Sequence, residues 1–214
     1  MLNKADVIEL FINEQVLSFG QFVLKSGRKS PYFFNLGALC SGKAIAALGG
    51  YYAESLCKAG FEDVSLFGPA YKGIPIVTAT AMALSVKQGA DVPFAYNRKE
   101  IKGHGEGGMM VGAKSSSFVV VDDVISAGAT AYDMITQLQD KGIHVAAWMV
   151  ALDRQEQGSE GNEVASEWLT SKTGVPVLSL ISLTDLLGYV ETHTDFQAYA
   201  HALKAYRKTY GVRP

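Results

Sequence analysis

Two adjacent acids behind a hydrophobic run are the residues in this chain best placed to do chemistry. The segment Val119-Val120-Val121-Asp122-Asp123-Val124-Ile125-Ser126-Ala127-Gly128-Ala129-Thr130 passes from β-branched residues through paired carboxylates into small side chains. Small side chains let backbone N–H groups come close to an anion, and a helix starting behind them adds unbonded donors and a favourable dipole. The turn therefore suits a monophosphate. The carboxylates would repel that phosphate; they suit sugar hydroxyls, or positive charge developing on the sugar, beside it. The plain alternative is a strand end whose aspartate caps the next helix.

Three more segments carry chemistry. Gly68-Pro69-Ala70-Tyr71-Lys72-Gly73-Ile74-Pro75 sets glycines around one lysine after a short apolar run, which again allows close backbone approach to an anion and adds a point charge. Taken alone it is also an ordinary Gly/Pro-rich turn. Between Asn97 and Gly112, Arg98, Lys99, Lys102 and His104 sit among Gly103, Gly105, Gly107 and Gly108. A long polar, Gly-rich loop in a compact domain is a lid or a solvated loop, and a cationic lid would exclude water above a polyanionic leaving group. Finally, Tyr32-Phe33-Phe34 offers ring surface to a planar ligand, and Arg154 offers a bidentate fork to a carboxylate. As separate residues these read as core and surface. His144, His193 and His201, like Cys40 and Cys57, fall into no metal-ligand or nucleophile spacing.

These segments need elements to hold them. The spacing of Val7, Leu10 and Phe11 predicts an amphipathic helix over Asn3 to Leu17, with Asn3 or Asp6 near its cap. Phe19 to Asn35, with a turn at Ser26-Gly27, reads as a hairpin. From residue 42 helix and strand alternate. Helices are expected over Lys43 to Lys58, Ile74 to Val86 and Tyr132 to Asp140. Strands are expected at Val64 to Phe67, Phe94 to Tyr96, Phe118 to Val121, Val145 to Leu152 and Val175 to Leu180. The strand of Phe118 to Val121 is expected to stop at the two acids, and Asp195 to Tyr210 reads as a last helix. Continuous rather than alternating apolar strands, spaced by helices, predict an α/β fold with a parallel sheet covered on both faces. Its ligand site belongs at the C-terminal strand ends, where the loops after Phe67, Tyr96, Val121 and Leu152 converge.

The hydrophobic run, both acids and the loop glycine of Val119 to Thr130 closely resemble the phosphoribosyl diphosphate (PRPP) motif of type I phosphoribosyltransferases. Leu24-Lys25-Ser26-Gly27-Arg28-Lys29-Ser30-Pro31-Tyr32-Phe33-Phe34-Asn35, Arg98-Lys99-Glu100 and Leu152-Asp153-Arg154-Gln155-Glu156 resemble the bacterial orotate branch of that family, and the likeness runs essentially end to end. The resemblance implies a type I phosphoribosyltransferase fold, with a small N-terminal hood over 1–40 and an α/β core over 41–214 in one compact domain. It implies transfer of a phosphoribosyl group from PRPP to orotate, giving orotidine 5′-phosphate and diphosphate. PRPP would be held by Lys25, Tyr71, Lys72, Arg98, Lys99, Lys102, His104, Asp122, Asp123 and the backbone from Val124, Ile125, Ser126, Ala127, Gly128 and Ala129 to Thr130. Orotate would meet Lys25, Phe33, Phe34, Ser126 and Arg154. Lys102, His104, Asp122 and Asp123 would be the catalytic set. Mg²⁺ is expected as cofactor, held by diphosphate and ribose oxygens and water rather than directly by the protein. The 98–112 loop would complete the partner subunit's site in a homodimer. One departure stands out: Ala129 follows the loop glycine where relatives often carry Thr, and Thr130 comes next.

Bulk composition agrees with a packed domain. Of 214 residues, 48% are apolar and 19% charged, too apolar for a disordered chain. Lys and Arg total 19 against 21 Asp and Glu, so the net charge of -2 gives no support to a nucleic-acid or membrane partner. That weighs against one rival, a non-catalytic PRPP-sensing regulator that binds RNA. A transferase for another base, such as a purine, is the other rival, and Lys25 and Arg154 argue against its neutral acceptor. Two cysteines make no disulfide scaffold, and the first residues lack the order of a signal peptide, so the cytoplasm is the expected location.

Overall fold

The β-branched runs become the middle of a six-stranded sheet. The computed structural model describes residues 3–24, 27–61, 63–89, 91–98 and 110–211, so Lys25, Lys99, Lys102 and His104 lie outside the described residues. Strands β3 (Leu66–Gly68), β4 (Phe94–Asn97), β6 (Ser117–Ile125), β7 (His144–Asp153) and β8 (Val177–Ser182) pair in parallel. The edge strand β5 (Met110–Gly112) runs antiparallel to β4, so the sheet is not wholly parallel. Helices α2 (Gly42–Lys58), α3 (Gly73–Gln88), α4 (Ala129–Gln139) and α5 (Ala165–Thr173) flank these strands in sequence. One apolar cluster lies on the side of α2 and α3, around Leu48, Val77, Val119 and Val121. Another lies on the side of α4 and α5, around Phe118, Val120, Ile135 and Trp168.

The strand order reverses at β3, which has β4 on one side and β6 on the other. The crevice beyond the C-terminal ends of β3 and β6 is thus the topological switch point, where open α/β sheets bind ligands. Both turns singled out by their small residues open there.

Sequence and structure differ at several elements. Strand β6 does not stop at the acids: Asp122 pairs with Val150 and Val124 with Leu152, so the β7 ladder carries the strand on to Ile125. The first helix, α1 (Lys4–Asn13), is capped by Asn3, whose side chain accepts from the Ala5 N–H. It ends early because Gln15 turns with φ 56 and Leu17 already opens a strand. The expected C-terminal helix is a 3-10 turn over Thr194–Tyr199 followed by α7 (Ala200–Tyr210). α5 and α6 (Leu183–Thr192) were not expected; α6 is started by a capping box between Ser182 and Asp185.

A second, smaller sheet packs against the C-terminal part of the chain. Strands β1 (Leu17–Val23) and β2 (Lys29–Phe34) form a separate antiparallel pair. Phe19 packs on Phe196 and Tyr199, each 5.4 Å between ring centres, and Tyr32 packs edge-on to Tyr206 of α7. Val7, Ile8 and Phe11 of α1 share one buried cluster with Leu180 and Ile181 of β8, so the N-terminal helix and the main sheet are joined by continuous core.

Candidate functional site

The turn after β6 is shaped from below. Gly128 sits at φ 86, and a Cβ there would meet the Trp168 ring at 3.1 Å, so both conformation and space favour glycine. The Ala127 carbonyl accepts from the N–H and the Oγ–H of Ser159, each at 2.9 Å, which pins the turn to the segment after β7. No side chain caps α4, so its first-turn N–H groups face the opening. Val124, Ile125, Ser126, Ala127, Gly128, Ala129 and Thr130 surround a cavity of about 370 Å³ with Asp122, Asp123 and Trp148. Ala129 and Thr130 are exposed at its mouth, so a hydroxyl is present one residue beyond the usual position.

The two acids lie beside this turn. The Tyr52 hydroxyl, on α2, donates to the Asp122 carbonyl at 2.7 Å, and the Asp123 N–H donates to the Asp122 carboxylate at 2.9 Å. Lys72 Nζ meets Asp123 Oδ2 at 2.6 Å. Burial, reinforced by the neighbouring Asp123 charge, pushes the Asp122 carboxyl up to about 7, although the Asp123 N–H and Lys72 oppose this. Two adjacent carboxylates with one lysine, bonded to Asp123, form a site that gains from added positive charge.

The Lys72 turn faces them from β3. A Cβ on Gly68 would collide with the Gly73 carbonyl, and one on Gly73 would meet Pro69 Cδ at 2.7 Å; the two glycines close the turn by touching. Ala70 N–H donates to Asn97 Oδ1 at 2.7 Å, tying the turn to the end of β4. The Ala70–Tyr71 peptide is cis. Tyr71 is 63% exposed. α3 starts at Gly73 with no side-chain cap, so a second helix N-terminus opens on the crevice. Arg98 stands half-buried just beyond β4.

In the two-stranded sheet, neighbours in β2 face opposite ways. Phe33 is 41% exposed and stacks on Phe22, whereas Phe34 is buried and edge-on to Phe11 at 5.3 Å. Ser126 is half-buried in the turn. Arg154 is buried rather than on the surface. Its Nε pairs with Glu156, its Nη2 donates to the Tyr206 hydroxyl at 2.8 Å, and its guanidinium lies over the Tyr32 ring, 4.4 Å from the ring centre. Burial pulls the guanidinium pKa down, but Tyr32, Glu156 and Tyr206 outweigh that and hold it charged. Sequence reasoning assigned no role to Tyr52, Asn97, Glu156 or Tyr206. Glu156, two residues from Arg154, and Asn97, at the start of the polar loop, lay in strings already marked.

Among the described residues, no group of three or more His, Cys, Asp or Glu gathers closely enough to hold a metal ion. No described helix is long and apolar enough to cross a membrane.

Residues 37–177 match the family model for the phosphoribosyl transferase domain. The chain is 49% identical to the orotate phosphoribosyltransferase of Saccharophagus degradans over 210 residues, covering 98% of each chain. It is 46% identical to that of Chromohalobacter salexigens, covering 98% of this chain and 95% of the relative. Among solved structures, the orotate phosphoribosyltransferase of Francisella tularensis is similar with a TM-score of 0.83 at 36% identity, covering 95% of this chain and 98% of the other.

Proposed function

The chain belongs to the orotate phosphoribosyltransferase branch of the phosphoribosyl transferase family, and from that premise we propose which of its groups run the reaction. The enzyme transfers the 5-phosphoribosyl group of PRPP to orotate, giving orotidine 5′-phosphate and diphosphate for pyrimidine biosynthesis. One observation carries the assignment of atoms: paired Asp122 and Asp123 lie beside an uncapped helix N-terminus behind a turn of small residues.

The 5-phosphate sits in the turn from Val124 to Thr130, against N–H donors. Asp122 and Asp123 hold the ribose hydroxyls. Breaking the anomeric C–O bond builds oxocarbenium character, and the same two carboxylates favour that charge. Diphosphate leaves towards Tyr71, Lys72, Arg98, Lys99 and Lys102, and Lys102 or His104 delivers its proton. Lys72, held on Asp123 in the free protein, has diphosphate as a competing partner. Orotate binds as the anion between Lys25, the Phe33 ring, Ser126 and Arg154, with Phe34 offering only its backbone because its ring is buried on Phe11, and needs no strong base. Catalysis is then positioning, charge neutralisation and water exclusion.

Magnesium fits the donor chemistry in one way. Asp122 and Asp123 are hard oxygen donors, but Lys72 occupies one of them, which leaves too few protein ligands for a cage. Magnesium would therefore be held chiefly by substrate oxygens and water, with Asp122 and Asp123 beside it, and would supply positive charge to the diphosphate.

The same proposal includes residues 1–40 as the base-pocket segment over a 41–214 core, a cytoplasmic location, and a homodimer whose 98–112 loop completes the partner's site. Self-association is supported by an apolar groove between α2 and α3, lined by Ile45, Ala46, Met82 and Val86, with Met82 66% and Val86 88% exposed. Placing a charge in such an interface disrupts it. Val86→Asp is expected to lower the mass in light scattering from twice 23.0 kDa to that of one chain, and activity should fall with it. A full-mass assembly would place the interface elsewhere.

The direct test is loss of orotate absorbance on mixing enzyme, Mg²⁺, PRPP and orotate. Turnover of adenine or hypoxanthine instead would reassign the acceptor. Binding of PRPP without turnover of any base would point to a regulator.

A further inference from the structure

Arg154 lies in a largely buried cluster of charged groups. Arg154 Nε pairs with Glu156 Oε1, and Arg28 Nη1 reaches Glu156 Oε2 at 2.8 Å, so two guanidiniums share one carboxylate. Glu156 is 2% exposed and Arg154 4%. The nearby Asp153 carboxylate accepts instead from the Gln155 N–H at 2.8 Å and the Ser166 hydroxyl at 2.7 Å. Two cations thus face two carboxylates, and Arg154 is marked by its geometry rather than by surplus charge.

The guanidinium is also held in place. Tyr206 Oη accepts from Arg154 Nη2 at 2.8 Å and in turn donates to Glu156 Oε1. Tyr32 lies under the plane. Nε and Nη2 are thus committed, rotation is blocked by the ring, and among the described residues Nη1 makes no hydrogen bond. A planar fork fixed in this way recognises a carboxylate by geometry as well as charge.

We propose that Tyr206 and Glu156 are positioning residues for the acceptor base: they fix Arg154 so that its remaining N–H edge selects an acceptor bearing a carboxylate. The last helix of the chain, far from the phosphate turn in sequence, thereby becomes a specificity element. This rests on the assignment of Arg154 to orotate made above.

Tyr206→Phe keeps the ring and removes only the hydroxyl. Losing one charge-assisted bond from the positioning of Arg154 should raise the KM for orotate about tenfold, while the KM for PRPP stays within about twofold. Arg154→Lys should raise the orotate KM by roughly thirtyfold or more, and adding Tyr206→Phe to it should change little, because residues acting through one another are not additive. Glu156→Gln, which preserves shape, should show the same selectivity for the orotate KM. An unchanged orotate KM in Tyr206→Phe and Glu156→Gln, with Arg154→Lys impaired, overturns the positioning role and leaves the Arg154 contact standing. An unchanged orotate KM in Arg154→Lys overturns the contact itself. A lowered melting temperature with both KM values intact, or moved equally, assigns Tyr206 a purely structural role and also overturns the proposal.

Discussion

Asp122→Asn is expected to leave a ligand-free protein that is more stable near pH 8 than the parent, and an enzyme roughly 10²–10³-fold slower. The stability half follows from burial and from Asp123. The Asp122 carboxyl is raised from an ordinary 3.8 to about 7 in the folded protein. Below the lower value both folded and unfolded chains are protonated, and Asp122 adds no penalty. Between the two values the folded chain keeps a proton that the unfolded chain has released, so stability falls as pH rises; above the upper value the loss is complete. Asparagine keeps the oxygen that accepts from the Asp123 N–H and removes the charge, so the variant should gain on the order of 2 kcal/mol near pH 8 and little near pH 4. Urea titrations at both pH values measure this, and equal gains at the two would refute the electrostatic cause. The activity half follows because the same repulsion is relieved by a positively charged ribosyl centre. A site that is uncomfortable empty and satisfied in the transition state loses catalysis when the discomfort is removed.

Lys102→Ala is expected to lower kcat by roughly 10²–10³-fold while moving the orotate KM by less than about threefold. Diphosphate gains charge as it leaves, so a lysine aimed at it acts more strongly in the transition state than in the ground state. Orotate binds on the other face of the sugar and should not sense the change. Steady-state kinetics with saturating PRPP separate the two parameters. A raised KM with intact kcat would remove Lys102 from the catalytic set and leave it a binding residue.

What could be read from the sequence had local causes. Val119 to Val121 are β-branched and continuous, so a buried parallel strand followed from the residue types alone. That the strand continues through Asp122 and Asp123 depends on β7 supplying register partners some 28 residues away, and no local pattern encodes that. β5 is only three residues long, too short to show a period. The phosphate turn was legible because its chemistry lies in consecutive residues. The base side was only half legible: Arg154 could be marked as a cation for a carboxylate, but its restraint by Tyr206 spans 52 positions and the Arg28–Glu156 pair spans 128. Tyr52 looked like any core aromatic of a helix. Only its distance to the Asp122 carbonyl gives it a part in holding the acids.

The two halves of the proposed site would form at different times on the ribosome. β3, α3, β6 and α4 follow one another along the chain, so the phosphate grip can form from a nascent segment of moderate length. The base side joins Arg28 and Tyr32 to Tyr206 and Tyr210, and these meet only once α7 has been synthesised. Contacts of such long separation close late because the intervening loop must first be ordered. A half-made chain would therefore acquire its hold on phosphoribosyl groups before it could tell one acceptor from another, and discrimination would arrive with the final helix.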